Sequence, residues 1–338
     1  MATRRNFFKT VLGLGAGASA FGLAQQARPK LRVGVLAPAG AKGFRAALER
    51  SGGEGVEWLH RAIGATPRSA VREARELLEA GVSALVALGD GLEEALRPLA
   101  EEHAAVLILS EVGVLMPRRV APGVFVFRNS LRQWQAEWAM GAWSAAHRGP
   151  TAVVVTGLLE AGYDLPYAFR SGFEAAGGRV LATLVSDAAT GKHDFASALA
   201  QVRSLGPATV HLIGSSREGL EFAQHCPNVT VSGFSLGALP SALQGAYGAT
   251  TAPGQDGLEA LGQRAGAWLK AAAVRAGSRG LLAALRETAR TDPIFLSRVQ
   301  GGERVKLEQL AEPPAHHPAL LSLAAHPRSG WTNLYPHV

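Results

Sequence analysis

The sequence predicts an α/β protein made of two similar parallel-sheet lobes, and two observations lead there. From Leu31 onward, short apolar runs are separated by amphipathic stretches. Strands alternating with helices of about 10–15 residues build parallel βαβ sheets. The same alternation then starts afresh near residue 130, which reads as a duplicated lobe rather than a short-period repeat array.

In chain order, "LRVGVLAP" (31–38), "ALVALG" (84–89) and "AVLILS" (105–110) are continuous apolar runs of the kind buried on both faces of a parallel sheet. Between them, "PRSAVREARELLEAG" (67–81) is a helix with Pro67 near its start and Gly81 at its end. "GLEEALRPLAEEH" (91–103) is a second helix, in which Pro98 removes one backbone bond. "VFVFRN" (124–129) closes this set as a strand. The second set opens with a helix over 130–149, followed by strand "TAVVVTG" (151–157), helix 167–178 and strand "RVLATLVSD" (179–187). It continues with helix 194–206, strand "ATVHLIG" (208–214), a short helix near 216–225 and strand "VTVSGFS" (229–235). Strand-like "GAYGATT", a long helix over 257–277 and a helix near 279–290 follow. The stretch 294–310 reads as a hairpin, with Gly301 and Gly302 supplying the positive φ of its turn. The Pro- and His-rich tail beyond it has no regular period.

Ahead of these elements stands "TRRNFFKTVLGLGAGASAFGLA" (3–24). Gly13, Gly15 and Gly17 suggest a nucleotide loop, but that motif needs a preceding strand to aim its helix, and only a basic N-terminus precedes them. The apolar run 11–24 is shorter than the ~20 residues of a membrane span. A basic head, a short apolar run and small residues at the end make a secretory signal. Arg4-Arg5 with Phe7, Phe8 and Lys9 resembles the twin-arginine export signature. Residues 1–27 are therefore expected to be a twin-arginine-type signal peptide, cleaved after Ala24 or Ala27, and the mature product to be soluble and periplasmic.

Loss of Arg4, Arg5 and Lys9 with the leader takes the formal charge from +7 down by three to +4. The remaining basic residues are scattered, which argues against nucleic acid as a partner. The single cysteine, Cys226, leaves no intramolecular disulfide to form and no lipid-anchor site after the signal. No cofactor is expected. His316-His317 point apart on any strand and have no further ligand near in sequence, so no metal is expected either.

The ordered set of segments is more specific than any one of them. "RVGVLAPAG", "PRSAVREARELL" (67–78), "FRNSLRQWQAEWA" (127–139), "GYDLPYAFRSGFEAAGGRV" (162–180), "DFASALAQVRSLGPATVHLIG" (194–214) and the helix of 257–277 resemble the type I periplasmic solute-binding proteins of ABC transporters, in the leucine/isoleucine/valine-binding branch. The resemblance covers nearly all of 31–310. It implies two Rossmann-like parallel-sheet lobes joined by three crossover strands near 128–131, 243–247 and 293–297. Lobe 1 would be 31–127 plus 247–293, and lobe 2 would be 128–246 plus 294–338. It further implies an exported protein that captures an amino acid or related small polar molecule between the lobes. The ligand would be delivered to an ABC permease without covalent chemistry. One departure stands out: the stretch after the first strand, "APAGAKGFRAALERSGGEGVEWLHR", is compressed relative to the family, so the first lobe is expected to be smaller.

Open parallel sheets hold ligands at the carboxyl ends of their strands, beside helix N-termini. That rule nominates Pro38–Lys42, Asp90 with Gly91, and Ser110 with Glu111 in lobe 1. In lobe 2 it nominates Tyr163 and Asp164, Ser215 with Ser216 and Arg217, and Ser235. Asp90 reads either as the N-cap of its helix or as a group favouring an amine or polyol over an anion. Ser110 suits a carboxylate or hydroxyl, and Glu111 an ammonium or solvent. Tyr163 matches a family tyrosine that covers ligand, its ring packing while its hydroxyl donates. Ser215 and Ser216 are donors or caps, and Arg217 offers a bidentate clamp. Trp134, Trp138 and Trp143 on one helix read as packing.

Two other functions fit parts of the pattern. The same fold would serve a sensor that signals to a membrane receptor. "GFSLG" (233–237) is a G-x-S-x-G elbow, and Ser235, Asp292 and His317 come in hydrolase order. Against an enzyme stand Pro240 in the following helix and the lack of an oxyanion-loop signature upstream.

Overall fold

The computed structural model describes residues 30–116, 123–158, 160–186, 195–214, 216–226, 228–233, 239, 241–276 and 280–313, except the side chains of Ser216 and Arg217. The predicted leader and the tail beyond 313 lie outside them. The residues from Leu31 on form one unit holding two sheets. Among the described residues no helix is long and apolar enough to cross a membrane.

The first sheet is built from β1 (Leu31–Ala37), β2 (Val56–Ala62), β3 (Ala84–Leu88), β4 (Val106–Glu111) and β5 (Val126–Ser130). Their order is β2-β1-β3-β4-β5, every pair parallel. Period-two alternation sends successive side chains to opposite faces. Val33, Val35, Val86 and Ile108 meet α1 (Lys42–Gly52) and α8 (Gly257–Arg275). Leu36, Leu85, Leu107 and Leu109 meet α2 (Pro67–Glu79) and α3 (Glu93–Glu102). The compressed stretch after the first strand thus holds a full helix and an edge strand, α1 and β2. Phe44, Ala47 and Leu48 carry the apolar face of α1.

The second sheet comprises β6 (Thr151–Gly157), β7 (Arg179–Ser186), β8 (Thr209–Ile213), β9 (Val229–Val231), β10 (Tyr247–Thr250), β11 (Phe295–Gln300) and β12 (Glu303–Gln309). Its order is β12-β11-β10-β9-β8-β6-β7, parallel except around β11. One face carries α4 (Gln133–Arg148) and α5 (Leu165–Ala175), and the other carries α6 (Phe195–Leu205) and α7 (Ser216–His225). The predicted 294–310 hairpin is present as β11 and β12, with Gly301 at φ 60° and Gly302 at φ 83°. Trp138 is buried in the core, with Trp134 and Trp143 packed against it. β10 pairs with β9 and β11, so it belongs to this sheet, whereas 247 was expected to open the return to the first lobe. The chain returns only after Thr250, into α8 and then α9 (Gly280–Thr288).

Three passages connect the sheets, at 131–132, 251–256 and 289–294, and polar side chains tie them together. Thr251 Oγ1 donates to the Leu131 carbonyl at 2.9 Å. Arg264 reaches from α8 to the Ser130 carbonyl at 3.0 Å and to the Asp292 carboxylate at 2.5 Å. Arg132, itself left-handed at φ 55°, donates to the Asp292 carbonyl and grips Glu312 with both nitrogens at 2.8 and 2.6 Å.

Helices pack at backbone contact in both halves. A Cβ on Gly262 would stand 2.2 Å from the Phe44 carbonyl oxygen, and one on Gly172 only 1.9 Å from that of Trp138. Neither neighbour is a flexible side chain, so the helices must separate to admit a methyl group. Gly262→Ala and Gly172→Ala are each expected to destabilise by about 1–3 kcal/mol, despite alanine's better helix propensity. Gly55→Ala, with nothing within 4 Å, should be near neutral. Thermal melts of the three variants check this; equal melting temperatures would count against it.

Candidate functional site

The site is defined by where the strands end. In each sheet a central strand is flanked by neighbours reached in opposite directions, β1 with β2 and β3, and β6 with β7 and β8. Ligands of open α/β sheets sit at such switch points, outside the carboxyl ends.

Beyond β3, Gly89 at φ 147° and Gly91 at φ 81° turn the chain sharply around Asp90. The N-cap reading of Asp90 is corrected here: Leu92 occupies that position, and no side chain caps α3. Asp90 is 1% exposed, and its carboxylate reaches sideways to the loop after β4. Oδ1 accepts from the Gly113 N–H and Oδ2 from the Leu115 N–H, both at 3.1 Å. Asp90 therefore shapes the loop that faces the other lobe.

Ser110 is 0% exposed. Its Oγ accepts a hydrogen bond from Asn129 Nδ2 at 2.9 Å, and the same amide donates to the Leu261 carbonyl at 2.8 Å. The hydroxyl expected at the ligand is enclosed beneath α8 and fastens that helix to β4 and β5. Glu111, one residue on, points the other way because the strand alternates. Its carboxyl is pushed up to about 8, chiefly by burial and then by the charge of Asp90. Arg128 and the Gly91 N–H oppose the shift, while Glu93 adds to it. Arg128 pairs with Glu93 Oε2. Glu93 is 8% exposed, and its Oε1 is buried without a partner.

On the facing lobe, β6 ends at Gly157 and a single 3-10 turn follows, Glu160–Gly162. Tyr163 is half-buried against the shared core. Asp164 makes the joining contact between the lobes. Its N–H donates to the Val114 carbonyl at 3.1 Å, and its Oδ2 accepts from the Met116 N–H at 2.6 Å. It stands at the N-cap position of α5 but makes no cap bond there, its carboxylate serving the opposite loop instead.

The structure adds two residues that the sequence reading passed over. Glu160 and Glu218, at 5% and 2% exposure, meet beside Gly157 with Ser186, whose Oγ donates to Glu218 Oε1 at 2.9 Å. Burial first, and the charge of Glu218 after it, raise the Glu160 carboxyl above its ordinary range. An available signal was a glutamate three residues after a glycine-ended strand. Ser215 and Ser235 lie outside the described residues, and Ser216 opens α7 with its side chain likewise outside. Of the hydrolase set, Ser235 and His317 lie outside as well, and Asp292 is bound to Arg264 at the third passage. Among the described residues no group of three or more His, Cys, Asp or Glu side chains is placed to hold a metal ion.

Comparison with known proteins agrees with this architecture. The periplasmic binding protein family profile matches residues 32–260. No curated protein matches the chain. Among solved structures, a solute-binding protein of an ABC transporter from R. palustris, in complex with benzoate, is similar at 21% identity. The alignment covers 86% of this chain and 99% of that one, with a TM-score of 0.68. A substrate-binding protein from Sphaerobacter thermophilus is 17% identical over 83% of this chain and 97% of its own, also at 0.68. A leucine-binding protein from Thermotoga maritima is 17% identical over 83% and 98%, at 0.62. The fold is that of the type I binding proteins of ABC transporters, and the chain belongs to the periplasmic binding protein family.

The raised Glu111 carboxyl has a consequence for stability. In the folded protein it keeps its proton up to about pH 8, while in the unfolded chain it ionises near 4.5. Between those values the folded state holds the extra proton. This group therefore makes stability fall as pH rises, by up to about 1.4 kcal/mol per unit. Glu111→Gln, which keeps a neutral side chain, should gain on the wild type in melting temperature between about pH 5 and 8. A difference that stays constant over that range would refute the assignment.

Proposed function

We propose that the protein is an exported solute-binding component of an ABC transporter. It captures a small polar molecule between its two lobes and hands it to a membrane permease. The observation that carries this reading is the meeting of the two carboxyl edges. The loop after β4 and the start of α5 are bonded through Val114, Met116 and Asp164, with buried polar groups on either side. A ligand enclosed there would touch both lobes, and its binding would stabilise the closed arrangement about the three passages. Similar structures hold small molecules, benzoate in one and 3,4-dihydroxybenzoic acid in another. Glu111, Tyr163, Asp164 and the loop held by Asp90 and Gly91 form the proposed lining, together with Ser215, Ser216 and Ser235. Ser110 supports that lining from behind.

Residues 1–27 would direct export by the twin-arginine route. Replacing Arg4 and Arg5 by lysine should then strand the protein, or a reporter fused behind the leader, in the cytoplasm. Export unchanged by that substitution would rule the route out.

Capture itself is testable by thermal shift. A panel of amino acids, amides, amines, polyols, nucleosides and aromatic acids should contain a compound that raises the melting temperature by mass action. The same compound should lower the radius of gyration in X-ray scattering. Asp164→Ala, which removes the bond to Met116, should weaken that compound's affinity by roughly tenfold. No shift with any compound would sink the proposal.

A further inference from the structure

We propose that the second lobe carries an anion site apart from the cleft, formed by Arg148 and Arg298 on the rings of Trp143 and Tyr247, and that its ligand is a phosphate group.

Chain order places the cluster. Arg148 ends α4 just before β6 begins, and Tyr247 opens β10, so both stand at the amino-terminal edge of the second sheet. Arg298 faces Tyr247 across the antiparallel β10–β11 pair. The cleft lies at the carboxyl edges, the other end of these strands.

A stack of rings is the scaffold. Trp143 stacks on Tyr247 with centroids 5.1 Å apart, and His147 stacks on Trp143 at 4.8 Å. The guanidinium carbon of Arg148 lies 4.5 Å from the Tyr247 centroid and 5.6 Å from that of Trp143. That of Arg298 lies 5.7 Å from the same tyrosine ring. Two cations are thus held at one ring, each attracted by its π-system and each repelled by the other.

No protein group answers them. Among the described residues no carboxylate pairs with Arg148 or Arg298. The Arg148 Nε and Trp143 Nε1 atoms are buried without a hydrogen-bond partner. Both are N–H groups that only donate, and buried donors in folded proteins are nearly always satisfied by protein, water or an ion. Apart from the chain's terminal carboxylate, the sequence outside the described residues holds two acidic side chains, Asp187 and Asp194. They belong to the connection from β7 to α6, which leaves β7 at the sheet's carboxyl edge.

Charge selects the ligand. Water would satisfy the orphaned donors and leave both guanidiniums uncompensated, and a carboxylate would balance one of them. A phosphate monoester brings close to two negative charges at neutral pH and three strong acceptor oxygens, which guanidinium forks bind by charge-assisted hydrogen bonds. The rings already pack on one another and on the arginines, so the site reads the phosphate and not the group attached to it. Inorganic phosphate, a soluble phosphate monoester and a phosphatidic acid headgroup share this chemistry.

The test is isothermal titration of the full-length protein with inorganic phosphate and with glycerol 3-phosphate, against sodium acetate at matched ionic strength. At least one phosphate compound should bind at millimolar concentration or below, and acetate at least tenfold more weakly. Arg148→Gln and Arg298→Gln should each weaken that compound tenfold or more. Should Arg148→Gln fold poorly, Arg298→Gln decides, since Arg298 is exposed and its replacement should leave the melting temperature unchanged. Flotation with phosphatidylcholine vesicles, with and without phosphatidic acid, separates the sources. Capture by the phosphatidic acid vesicles that Arg298→Gln abolishes would assign a lipid headgroup; titration without such capture would assign a soluble phosphate. Failure of phosphate, glycerol 3-phosphate and the vesicles alike would overturn the site, as would acetate binding equally well or an affinity that Arg298→Gln leaves unchanged. The thermal shift that reads solute capture should be the same in Arg298→Gln as in the wild type, so the two proposals fail separately.

Discussion

The arrangement depends on the knot that ties the three interlobe passages. Each passage is a single strand of chain, and separately each would be a loose tether. Arg264 and Arg132 bind two of them through Asp292 and the Ser130 carbonyl, and Thr251 binds the third through the Leu131 carbonyl. Burial lowers the proton affinity of Arg264, and the Asp292 carboxylate held against it opposes that loss. With the passages bound together at one place, the carboxyl edges of both sheets are kept facing each other. That is the geometric condition for any ligand to touch both.

From that condition follows the distribution of polar groups. Away from the edges, the interior is a continuous apolar layer running from α1 and α8 through to α4 and α5. A deep polar network interrupts it, in which Glu137 accepts from Gln133 and Ser232 and pairs with His211. Those groups satisfy one another and join α4 to the second sheet. At the edges, by contrast, burial and neighbouring carboxylates push the Glu111 and Glu160 carboxyls toward their neutral forms.

The loop of residues 112–116 shows how positioning passes through intermediaries. Asp90 fixes it from β3, and Gly113 at φ 79° lets it pass close to Ser130 and Arg132. Asp164 holds it from the other lobe. Its backbone is thus set by three elements distant in sequence, none of which is itself part of the loop.

Much of the architecture was legible in the chain. Apolar runs and helical periods located nearly every strand and helix, because parallel strands buried on both faces must be apolar throughout. The Gly301-Gly302 turn followed from φ alone. Helix α1 and strand β2 escaped because α1 lacks strong end signals and β2 is a half-polar edge strand. The site was legible only as a set of loops. Nothing local in the chain distinguishes Ser110, sealed beneath α8 by Asn129, from Glu111 beside it, nor reveals that Asp90 turns toward Gly113 and not α3. Glu160 and Glu218 are 58 residues apart, and only the pairing of β6 with β8 makes them neighbours. Local pattern therefore determined the elements and their order, since periodicity and turn chemistry act over a few residues. Which side chains share a buried point was decided by sheet order and interlobe packing, because desolvation and like-charge repulsion depend on distance through space.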